Sequence, residues 1–66
     1  MKFFIFRHPQ LGLLRSGGEI HTVSYQQAAD ELVQTLQNQS PDWRTHQLTP
    51  AEQKAFVLSG YKSISG

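Results

Sequence analysis

Between Val23 and Gln37 the apolar positions recur at three- and four-residue steps. Tyr25, Ala28, Ala29, Leu32, Val33 and Leu36 fall on one stripe, while Gln26, Gln27, Asp30, Glu31, Gln34 and Gln37 fill the other side. This period predicts an amphipathic helix over residues 24 to 39. Ser24 followed by Gln27 has the spacing of a capping box, and Pro41 disfavours helical geometry at Ser40. Thr49-Pro50-Ala51-Glu52 opens a second helix, over residues 49 to 59, with a threonine cap, proline at the first helical position and glutamate three residues after the cap. Ala55, Phe56 and Leu58 give that helix its apolar side. Gly60 is placed to stop it in a left-handed conformation, with Phe56 and Tyr61 available for the accompanying contact.

The remaining apolar runs are short and rich in aromatic and β-branched residues, which marks strands. Residues 2 to 7 form the first, with Phe3 and Ile5 on one face and Phe4 and Phe6 on the other, and Pro9 ends its ladder. A strand apolar on both faces belongs in the middle of a sheet. Glu19 to Val23 reads as a second strand, preceded by a Gly17-Gly18 hairpin turn, and Trp43 to Leu48 as a third, with Trp43 and Leu48 on opposite faces. Residues 9 to 18 read as a loop with room for a short strand, and Tyr61 to Gly66 as a tail with room for an extra short edge strand.

The order strand, strand, helix, strand, helix (ββαβα) predicts a single α+β domain over residues 1 to 66. Its three-stranded sheet runs in the order 2-1-3, with the all-apolar strand central and both helices on one face. That arrangement leaves one pair of first-strand side chains, Phe3 and Ile5 or Phe4 and Phe6, in need of cover. The cover is either Leu11 to Leu14 or another molecule, a homodimer partner being one form of it.

Composition narrows the functional classes. At 66 residues a single core is barely sufficient, since so short a chain buries roughly 60% of its unfolded surface, and the absence of cysteine removes disulfides and thiolate metal sites. The formal net charge of +1 carries no footprint for nucleic acid or anionic membrane, and eight glutamines make the surface polar and largely neutral. Arg7 and His8 end the apolar run at residues 3 to 6 too early for a secretory signal, so a soluble, cytoplasmic protein is expected. By analogy of size and composition alone, it looks like the product of a small accessory gene of bacteria or phages.

Candidate chemistry centres on Phe4-Ile5-Phe6-Arg7-His8, a strand delivering an Arg-His pair at its end. These residues resemble the opening of the histidine phosphatase superfamily. The resemblance covers about eight residues and implies that His8 is a phosphorylated nucleophile and Arg7 a phosphate ligand, although Pro9 stands where that family carries glycine. Glu19 and His21 share one strand face and His46 lies on another strand, but their spacing matches no metal signature, so neither metal nor cofactor is expected. Arg7, Arg15, Arg44 and Lys62, with Trp43 to stack on bases, form an alternative nucleic-acid surface. The expectation is a non-catalytic protein-binding module, a regulator or inhibitor of a larger partner, anchored by Phe3, Phe4, Phe6, Leu11, Leu13 and Leu14.

Overall fold

The computed structural model describes residues 2 to 64. Strand β1 (Phe4–His8) is followed by three two-residue strands, β2 (Gly12–Leu13), β3 (Arg15–Ser16) and β4 (Glu19–Ile20). Helix α1 (Gln26–Gln39), strand β5 (Arg44–Gln47) and helix α2 (Pro50–Leu58) complete the fold. The principal sheet runs β2-β1-β5 with both pairings antiparallel, and β3 and β4 form a separate hairpin. This is the expected α+β architecture with the all-apolar strand in the centre.

The flank of β1 is built differently from the expected 19 to 23 strand. Leu13 and Gly12 pair with Arg7 and His8, Leu14 donates to the Phe6 carbonyl, and the chain then departs through the β3–β4 hairpin. It returns only at Val23, which exchanges both backbone hydrogen bonds with Phe4 at 2.9 and 3.1 Å. Gly17 and Gly18, at φ of 61° and 85°, make the two-residue turn of the hairpin; both central residues of such a turn need positive φ.

The two helices lie on opposite faces, which corrects the expectation of both on one. Phe4 and Phe6 pack with Ala29, Leu36 and Trp43 under α1, whereas Ile5 packs with Ile20, Leu48 and Phe56 under α2. The reason is the pleat. Successive side chains of β1 point to opposite faces, and Phe4, Ile5 and Phe6 are 2%, 0% and 0% exposed, so each face carries its own apolar load and needs its own helix. Leu13 and Leu14 then close the margins of the two clusters, one on each side, and the apolar run Phe4 to Phe6 is covered on both faces.

Helix α1 begins later than its sequence suggests. The cap position is Tyr25, which makes no side-chain capping bond, and the Ser24–Gln27 box does not form. Val23 is tied into the ladder with Phe4, so the chain is still extended at Tyr25 (φ −123°, ψ 138°) and Ser24 precedes the cap position. Tyr25 is consequently exposed rather than part of the buried stripe, and Gln27 reaches forward to Glu31 instead. Helix α2 opens as expected: Thr49 Oγ1 accepts from the Glu52 N–H and Glu52 Oε1 accepts from the Thr49 N–H. Its end is a Schellman motif, in which Tyr61 donates to the Phe56 carbonyl and Gly60 to that of Val57, with Gly60 at φ 70° and the Phe56 and Tyr61 rings in edge contact. Leu58, expected on the buried side, is 78% exposed because the inward face of this helix is carried by Glu52 and Phe56, one turn apart. The tail adds no strand up to Ile64; its Tyr61 carbonyl accepts from Ile20 N–H, and Ser65 and Gly66 lie outside the described residues.

Candidate functional site

The chemically distinctive residues gather at the C-terminal end of β1, on both faces. On the α1 face His8 is 6% exposed and fully engaged. Its Nδ1 accepts from the backbone N–H groups of Gln10 and Leu11 at 3.1 and 3.0 Å, while Nε2 lies 2.7 Å from Ser40 Oγ. Two amide donors on Nδ1 require its lone pair, so the ring proton sits on Nε2 and is donated to Ser40. Trp43 packs edge-on against the ring at 5.1 Å. A phosphorylated histidine needs a free nitrogen lone pair directed outward, and here the only lone pair is held by the turn. His8 thus organises the Pro9–Leu11 turn and anchors it to the end of α1.

On the α2 face, one backbone amide and two side chains converge around Glu52. Its carboxylate accepts from the Thr49 N–H at 2.9 Å and from His46 Nε2 at 2.9 and 3.2 Å, and Arg7 Nη2 stands 3.6 Å away. The Thr49 amide first, and the His46 hydrogen bond second, hold the Glu52 carboxyl at about 2, well below its ordinary 4.5. The His46 bond ties the start of α2 to β5, and the ion pair with Arg7 adds β1.

Beyond Glu52 the α2 face is open. A shallow groove of about 400 Å³ runs over the end of the sheet, lined by Arg7, Pro9, Gly12, Leu13, Asp42 and Arg44, with His8 beneath it. Arg7 and Arg44 are direct cross-strand partners on β1 and β5, so their side chains leave the sheet on the same face. Arg44 Nη1 donates to the carbonyls of Pro41 and Trp43, both at 2.8 Å, which fixes its guanidinium over the turn that leads into β5. Leu11, 69% exposed, projects from the turn between Pro9 and Gly12 that forms one lip. A second depression, of about 500 Å³, lies by the hairpin between Phe3, Ser16, Glu19, Ile20, His21 and Tyr61.

Of the six apolar anchors expected from sequence, Phe4 and Phe6 are core residues, and Phe3, Leu13 and Leu14 are partly buried against the two clusters. Only Leu11 is freely presented. The basic set divides: Arg7 and Arg44 share the groove, whereas Arg15 donates to the Lys62 carbonyl beside the hairpin, and Trp43 is buried at 6% exposure and offers no stacking face. His21 packs on Phe6 toward α1 while His46 turns to Glu52 on the α2 face, so Glu19, His21 and His46 are not assembled. Sequence reasoning missed Glu52, Ser40 and Asp42 as members of this region. Glu52 was visible only as a cap, whereas Ser40 and Asp42 come from the α1–β5 connection, which no local pattern directs toward His8.

No protein-family model, curated protein or solved structure matches the chain. Among the described residues, no helix is long and apolar enough to cross a membrane.

Proposed function

We propose that this chain is a small non-catalytic protein-binding module, a regulator or inhibitor of a larger partner protein, and that it engages the partner through the groove at the end of β1. The observation that carries this reading is the position of Leu11. A large apolar side chain is held out in solvent, on a turn locked from behind by His8, beside an apolar groove with two arginines at its rim. Interface anchors take this form, an apolar side chain on a preorganised backbone next to a concave surface, with arginine enriched around it. A turn held by three side-chain hydrogen bonds loses little conformational freedom on binding.

Photo-crosslinking from position 11 in the native host tests the proposal. A benzophenone amino acid in place of Leu11 should give one dominant protein adduct, lost when Leu13→Ser is added, while the same probe at exposed Tyr25 should not give it. A nucleic-acid adduct from position 11, or equal protein yields from positions 11 and 25, would overturn it. An adduct of twice the chain mass would identify the partner as a second copy.

A further inference from the structure

We infer that the groove takes a carboxylate presented beside an apolar side chain, as in an acidic segment of a partner protein. This inference rests on the protein-binding reading and names the chemistry that the partner must bring.

Arg7 and Arg44 occupy directly opposed positions on neighbouring strands, an arrangement of like charges that costs stability in a sheet. Among the described residues Arg7 has one ion-pair partner, Glu52, and Arg44 has none, so the repulsion is offset on one side only. Arg44 makes its hydrogen bonds to two carbonyls, which are neutral, and only through Nη1. Arg7 Nη2 is 3.6 Å from Glu52 Oε2, beyond hydrogen-bond range, and the Glu52 oxygens already accept from Thr49 and His46. Asp42 lies on the rim but forms no ion pair with either arginine among the described residues. Both guanidiniums therefore keep N–H donors free above a floor formed by Pro9, Gly12 and Leu13.

A carboxylate between them accepts from both forks and cancels the repulsion, and an adjacent apolar side chain covers the floor and meets Leu11. A phosphodiester chain fits less well. The single pair of arginines offers no track for successive phosphates, and Trp43 is not available for stacking.

The test is titration of the 15N-labelled full chain with a capped Leu-Asp-Leu-Glu tetrapeptide, its Leu-Asn-Leu-Gln analogue and a twelve-nucleotide oligothymidylate. The acidic peptide should shift the Nε–H resonances of Arg7 and Arg44 and the amides of Leu11 to Leu13, and the neutral analogue should bind at least about tenfold more weakly. Arg44→Gln, and separately Arg7→Gln, should weaken the acidic peptide by a similar factor while the resonances of α1 stay in place, which shows that the fold is intact. Equal affinity for the two peptides, no shift with the acidic peptide at millimolar concentration, or stronger binding of the oligonucleotide would overturn the inference. Failure here with a protein adduct still formed from position 11 would remove the carboxylate and leave the protein-binding reading. Peptide binding without any protein adduct would do the reverse.

Discussion

Replacing Phe56 tests whether the two faces of β1 form one cooperative unit. Phe56 is 0% exposed and meets Phe3 and Tyr61 edge-on, at ring-centroid distances of 6.0 and 5.0 Å. Truncation to alanine loses the buried ring and opens a cavity, at about 3–5 kcal/mol. A chain of 66 residues has roughly 3–10 kcal/mol of total stability at ~0.05–0.15 kcal/mol per residue, so Phe56→Ala unfolds much of the population. Phe56→Leu is the informative change. It keeps most of the apolar volume but loses both aromatic pairs, worth about 0.5–1.5 kcal/mol each, for a net loss of about 1–3 kcal/mol. With a urea slope near 1 kcal/mol per molar for so small a domain, the midpoint should fall by about 1–3 M. Trp43, on the far side of the sheet in the α1 cluster, reports whether the loss is transmitted. Because Ile5 and Phe6 are adjacent on one strand, its fluorescence should shift to the same lower midpoint as the helical circular dichroism. A Trp43 transition left in place while the helical signal melts early would refute the argument and make the clusters independent.

Thr49→Ala removes the cap of α2 and should cost about 1 kcal/mol, lowering the melting temperature by about 4–8 °C in calorimetry. Gly60→Ala forces a side chain into a left-handed position at φ 70° and should cost about 1–2 kcal/mol in urea unfolding; an unchanged midpoint would contradict the Schellman assignment. The Glu52 carboxyl lies at about 2 when folded against 4.5 ordinarily. Its contribution is therefore complete above about pH 4.5 and fades as the pH falls toward about 2. Glu52→Gln should be less stable than the parent at neutral pH, with the gap closing across that window; parallel stability curves would contradict it.

The parts of the fold that were legible in the sequence are those set by local chemistry. Thr49, Pro50 and Glu52 specify the start of α2 within a few residues of chain, as Gly60 specifies its end and Gly17-Gly18 the hairpin. The central position of β1 also followed from its alternation alone, since a strand apolar on both faces is stable only when covered on both. That same alternation calls for one helix on each side, and placing both helices on one face left half of the strand without cover. Ser24 shows the limit of a local signal: its capping spacing is sound, but the tertiary bond from Val23 to Phe4 holds the chain extended one residue too far. The groove was the least legible feature. Its members come from β1, β2 and the α1–β5 connection, and Arg7 and Arg44 become neighbours only through a strand register that links residues distant in sequence.

The most direct test of this account is a nuclear Overhauser spectrum of the full chain in water, because the groove exists only if α1 and α2 cover opposite faces of β1. The Phe6 ring should show cross-peaks to the Ala29 methyl, and the Ile5 methyls to the Phe56 ring, with the α-protons of Phe4 and Gln47, and of Phe6 and Thr45, adjacent across the strands. Cross-peaks from Ala29 and Phe56 to the same β1 side chain would place both helices on one face and contradict the fold and the groove together.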